Sequence, residues 1–111
     1  MDKPQTTADA FFSVDLRVGR VTEVLEFPEA RDPAWKVTVD FGPLGTKQTS
    51  AQVTNYRKDE LLGRLVIGAV NLGAKRIAGF RSEFLLLGAK AADNAIHLLA
   101  PDGGEPGDEV C

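Results

Sequence analysis

Cysteine is almost missing from this chain of 111 residues: the single one, Cys111, is the last residue. One thiol cannot form an internal disulfide or a multi-cysteine metal site, and its scarcity fits a reducing, cytoplasmic compartment. Histidine is equally scarce. His97 lies in the apolar run IHLLAP with no second His or Cys at a ligand spacing, so no metal is expected. No apolar run reaches the roughly 18 residues that a membrane-spanning helix needs. The stretch MDKPQTTADA also lacks the basic-then-apolar order of a signal peptide. The expectation is a protein that is neither exported by a signal peptide nor inserted in a membrane.

Catalytic patterns are missing too. GPLGTKQTS has glycines and a lysine, but Thr46 separates Gly45 from Lys47 and breaks the phosphate-loop spacing. Ser13, Ser50 and Ser82 sit in no nucleophile elbow. Asp59 and Glu60 are neighbours at a helix start, where they favour the helix dipole rather than flank a substrate. Neither a cofactor nor an enzymatic activity is expected.

What is present is an ordinary globular composition, 43% hydrophobic and 26% charged, at a length that suits one domain over 1–111. The net charge of −3 is unevenly spread. Residues 1–16 set Lys3 against Asp2, Asp9 and Asp15, and residues 101–111 carry Asp102, Glu105, Asp108 and Glu109 without a cation. The body between them is therefore mildly basic, and whole-chain charge is a poor guide to partners.

Periodicity divides that body into short strands. TTADAFFSV predicts a short helix with Thr7 as N-cap, part of an extension over residues 1–14 that must dock to be stable. Leu16 and Val18 alternate with charged neighbours, and Val21 then breaks the phase, which points to a bulge at Gly19. In WKVTVDF, Trp35, Val37, Val39 and Phe41 share one face, so they are expected in a core. GPLG is a turn, and TKQTSAQV completes a hairpin. NYRKDELLG predicts a helix capped by Asn55 and ended by Gly63, followed by the buried strand RLVIGAV. Residues 71–83 read as a loop, FLLLG and AIHLLAP as strands around an AADN turn, and 101–111 as an acidic tail. The order is mainly all-β and suits a five-stranded OB-fold barrel with short helices and terminal extensions, while up-and-down and SH3-like barrels also share it.

Three segments narrow that choice: DLRVGRV at 15–21, ELLGRLVIGAVNL at 60–72 and KRIAGFRSEFLLLGA at 75–89. Together they resemble the tRNA-binding OB-fold domain family, found attached to some aminoacyl-tRNA synthetases and as free-standing dimers. FPEARDPAWKVTVDFGPLGTKQTSAQVT at 27–54 resembles its CsaA-type, export-related chaperone subgroup. Where tRNA-binding modules carry Gly-Met after the serine step, Ser82-Glu83 here leads into Phe84-Leu85, as in that subgroup. The likeness covers roughly residues 11–111. It implies a homodimeric, chaperone-like protein for unfolded or presecretory polypeptides, with a tRNA-binding module acting in trans to synthetases as the alternative.

Binding residues follow from charge and the resemblance together. Lys75, Arg76 and Arg81 concentrate positive charge in 71–83, and Phe80 beside Gly79 is the candidate apolar contact for polypeptide or RNA. Arg17, Arg20, Lys36 and Lys47 are candidates to extend the patch. Phe11, Phe12, Ile96, Leu98 and Leu99 put more apolar surface near the ends than fraying termini usually carry, which predicts a homodimer interface.

Overall fold

The computed structural model describes residues 2–111. Its elements are helix α1 (Ala8–Phe12), strands β1 (Leu16–Glu26), β2 (Trp35–Asp40) and β3 (Thr46–Ala51), helix α2 (Lys58–Leu61), and strand β4 (Leu65–Ala69). Five short strands follow: β5 (Lys75–Ile77), β6 (Phe80–Ser82), β7 (Leu85–Leu86), β8 (Gly88–Lys90) and β9 (Ile96–Leu98). The main sheet runs β3-β2-β1-β4-β7, antiparallel throughout, and curls into a nearly closed OB-type barrel.

β1 is the spine of the barrel. Residues 16–20 pair with β4 and residues 20–26 with β2, so one long bent strand serves both halves. The expected irregularity in β1 exists, but three residues later than the glycine. Pairing is unbroken through Gly19, and the register shifts between Val21 and Glu23, leaving Thr22 as the extra residue. That slip lets Val21 and Val24 both enter the core.

Gly19 serves a different purpose. A Cβ there would overlap the side chains of Val39 and Phe41, and a Cβ on Gly68 in β4 would lie 2.8 Å from both Phe41 and Phe84. The two glycines hollow a slot that the Phe41 ring fills. Phe41 is fully buried and meets Phe84 edge-to-face, with centroids 5.0 Å apart. Around this pair lie Val21, Val37, Val39 and Val66 of the strands, Leu61 of α2 and Val53 of the segment after β3. Trp35, expected in the core, is half-buried at its margin, where its Nε1 donates to the Tyr56 carbonyl at 3.1 Å.

Local signals behave as expected at α1. Thr7 Oγ1 accepts from the Ala10 N–H at 3.1 Å, and Asn71 clamps the exit by donating to the Ser13 carbonyl and accepting from the Asp15 N–H, each at 2.8 Å. At α2 the capping residue differs. Asn55 instead donates to the Ile96 carbonyl at 2.9 Å, and the helix begins after Arg57, whose N–H donates to Glu60 Oε1 at 2.7 Å. Gly63 ends the segment at φ +79°, in the left-handed region its place required.

Two further expectations change. Residues 71–83 are not a plain loop, because β5 and β6 form a hairpin turning on Ala78 (φ 48°) and Gly79 (φ 80°). Positive φ at both central positions marks a type I′ turn, which an alanine at the first position disguises. The acidic tail is not free either. Gly107 N–H donates to the Val18 carbonyl at 2.8 Å, Val18 N–H to Asp108 at 2.9 Å and Val110 N–H to Leu16 at 2.8 Å, so 107–110 cover an open edge of β1.

The slot makes a test. Gly68→Ala forces its new methyl against two rings of the core, and the expected loss is about 1–3 kcal/mol of stability by chemical denaturation. A variant as stable as the parent would show that Phe41 does not depend on the space.

Candidate functional site

The barrel does not close by a backbone ladder between β3 and β7. At this seam the side chains take over. Ser50 N–H donates to Ser82 Oγ at 3.3 Å, Ser82 Oγ lies 2.6 Å from Thr49 Oγ1, and Thr49 Oγ1 donates to the Phe84 carbonyl at 2.8 Å. Because Thr49 gives its proton to Phe84, the Ser82 hydroxyl is the donor between the two, and the chain satisfies every member. Glu83 adds a second stitch: its N–H donates to the Gln48 carbonyl at 2.8 Å and its Oε1 accepts from the Gln48 N–H at 3.0 Å. Ser82 and Glu83 thus hold the seam.

A seam stitched by side chains leaves a furrow beside it. Two adjoining hollows of about 330 and about 240 Å³ share Ser50 and Leu85 and form one groove along the barrel wall. One end is lined by Leu72, Ala74, Lys75, Ile77 and Phe84, the other by Ala51, Val53, Leu86 and Ile96. Leu72 and Leu85 are each 55% exposed, an unusual outlay of apolar surface within one groove. Among the described residues, Lys75 is the single charged one in the lining.

The β5–β6 hairpin forms one lip. Its cross-strand pairs are Lys75 with Ser82, Arg76 with Arg81 and Ile77 with Phe80. Strand alternation therefore puts Lys75, Ile77, Phe80 and Ser82 on the face toward the barrel, and Arg76 and Arg81 together on the other face. Phe80, expected as an exposed contact, is half-buried because it shares that inward face. Its ring lies 5.5 Å from Phe27, itself buried, and Lys36 Nζ sits 4.8 Å from the Phe27 ring centre and 5.2 Å from that of Phe80.

The remaining cations divide. Lys36 joins the hairpin through Phe80. Arg17 is occupied elsewhere: Nε donates to Asp15 at 2.6 Å and Nη1 to the Gly107 carbonyl at 3.1 Å. The hydrogen bond to Asp15 holds its guanidinium pKa above the ordinary value. Arg20 donates to the Gly63 carbonyl at 2.8 Å beyond α2, and Lys47 is half-buried on β3 opposite Val39. Thus Lys75, Arg76, Arg81 and Lys36 gather at one place, whereas Arg17 and Arg20 serve the tail and the α2 turn.

The terminal residues divide as well. Phe11 and Phe12 are 53% and 61% exposed and touch each other edge-to-face, and Leu99 is exposed. Leu98 is a correction: it is buried in the chain's own core, with Ile96 half-buried against that core, because β9 turns these side chains toward the barrel. Leu72 and Leu85 escaped the sequence reading. The signal for Leu85 was the unbroken run FLLLG, which puts an apolar residue on both faces of a strand.

Residues 16–109 match a family model described as "Putative tRNA binding domain". A methionine–tRNA ligase 1 of Sorangium cellulosum is 39% identical over 109 residues, covering 96% of this chain, which spans only 15% of that ligase. The structure of the CsaA chaperone protein of Picrophilus torridus superposes with a TM-score of 0.93 at 48% identity, covering 96% of this chain and 100% of that one. Chaperone CsaA of Bacillus anthracis gives 0.91 at 41% identity, covering 97% and 100%.

Proposed function

Because the chain belongs to the tRNA-binding domain family, within its CsaA-like branch, we propose that it is a chaperone-like binding protein for unfolded or presecretory polypeptides. The observation that carries this reading is the groove. An unfolded segment offers apolar side chains that need cover, and Leu72, Ile77 and Leu85 offer an apolar surface open to solvent beside a cationic lip. The match of the two CsaA proteins over their whole length supports it, since both are called chaperones. Its action is binding rather than catalysis, and its proposed setting is the cytoplasm.

A second reading is a tRNA-binding module acting in trans to synthetases. The family description and the ligase similarity favour it, as does the Arg76–Arg81 pair, where two guanidinium groups share a face as phosphate contacts do. Titrating one sample with an unfolded presecretory protein and with a tRNA pool separates the readings. Leu85→Asp is expected to weaken polypeptide binding ten-fold or more with the thermal midpoint unchanged, because Leu85 is exposed and at the groove's centre. Polypeptide binding unaffected by Leu85→Asp, with tRNA binding that weakens with salt by about 0.7 log units per phosphate contact, would replace the first reading with the second.

A homodimer is part of the same proposal. α1 buries none of its own residues, and Phe11, Phe12 and Leu99 offer apolar surface for a second copy. Light scattering at micromolar concentration is expected to give twice the chain mass, and a monomer would contradict the assignment.

A further inference from the structure

The groove is charged at one end only. Lys75 is the single charged residue of its lining among the described residues, and the opposite end is walled by Ala51, Gln52, Val53, Leu86 and Ile96. On the outer face of the same hairpin lip stand Arg76 and Arg81, directly opposite each other across the two strands.

Nothing within the chain neutralises this end fully. Among the described residues neither Lys75 nor Arg76 has a carboxylate within 4.0 Å, and the hydrogen bond of Arg76 goes to the Gly79 carbonyl at 3.0 Å. Glu83, just after the hairpin, already accepts from the Gln48 N–H through Oε1, and its Oε2 lies 3.7 Å from Arg81 Nε. Like charges placed opposite on paired strands destabilise a hairpin. This hairpin of three cross-strand pairs therefore carries a cationic load that an anionic partner would relieve.

We propose that the groove selects extended apolar segments flanked by acidic side chains, the acid seating at the hairpin lip that carries Lys75 on its inner face and Arg76 on its outer one, and the apolar residues along Leu72, Ile77 and Leu85. The proposal rests on the groove being a polypeptide site and adds which polypeptides it takes. Apolar complementarity alone would bind any unfolded segment; the one-ended charge makes flanking sequence matter. A segment flanked by lysines meets uncompensated cations on entry, whereas a glutamate-flanked one exchanges water for charge-assisted hydrogen bonds. Since Lys75 and Arg76 are exposed, the preference fades as salt rises.

The test uses two synthetic peptides, acetylated and amidated at their ends and carrying a neutral fluorophore. Both share the apolar core Val-Leu-Ala-Val-Leu; one has three glutamates on each side and the other three lysines. Anisotropy titrations of the intact chain at low salt are expected to show the glutamate peptide binding about ten-fold more tightly, since each exposed pair contributes up to about a factor of five. Lys75→Glu with Arg76→Glu is expected to reverse the order, and Leu85→Asp to weaken both peptides. Thermal midpoints of all variants are measured alongside: Leu85→Asp is expected to leave the midpoint unmoved, and the double substitution not to lower it, since Arg76→Glu removes the like-charge pair with Arg81.

Each other outcome has a definite meaning. Equal binding of both peptides, lost in Leu85→Asp, overturns the charge preference and leaves the polypeptide groove standing. Binding of neither peptide overturns both. A glutamate preference that survives the double substitution shows that Lys75 and Arg76 do not select the segment. Loss of tRNA binding in the double variant, with peptide preference unchanged, assigns those cations to nucleic acid and also overturns the proposal.

Discussion

The ring of Phe41 occupies the space that Gly19 and Gly68 leave empty, and the shape of the barrel depends on that fit. β1 and β4 can approach the end of β2 because neither presents a side chain there. With Phe41 seated, Phe84 closes against its edge, and Phe84 carries with it the segment that stitches the seam. The hydrophobic contact thus fixes the position of the chain that later lines the groove. Packing at this density transmits a shift in one ring to its neighbours.

The seam links core and function. A backbone ladder between β3 and β7 would have shut the barrel wall. Side-chain hydroxyls hold the two edges instead, with Thr49 and Ser82 buried and mutually satisfied, and the wall remains furrowed beside them. Buried polar groups are tolerated there because the chain from Ser50 to Phe84 leaves no member unpaired. The Ser-Glu step of the sequence is therefore a closure device whose by-product is an apolar groove, and the hairpin just before it places the cations.

Much of this was legible in the sequence, and unevenly so. The alternation of Val37, Val39 and Phe41 marked the core strand because period-two burial leaves a plain trace. Thr7 and Gly63 were legible because capping chemistry is local. Gly19 was misread, since a glycine that vacates space for a ring 22 residues further along the chain looks the same as one that bends a strand. Asn55 was misread for a similar reason: its partner, the Ile96 carbonyl, is distant in sequence. The clustering of Lys36 with Phe80 and the withdrawal of Arg17 into the tail depend on tertiary contacts that no spacing reports. The mainly-β barrel needed only local patterns, whereas the groove needed the seam.

The central claim is that unfolded polypeptide occupies the furrow beside the seam. Amide chemical shifts of the isotope-labelled chain, followed while an unfolded polypeptide is added, test it most directly. The account expects changes concentrated at Ser50, Leu72, Lys75, Ile77 and Leu85, with Gly19 and Phe41 in the core unmoved. Changes confined to α1 and residues 107–110, with Leu72 and Leu85 silent, would contradict it.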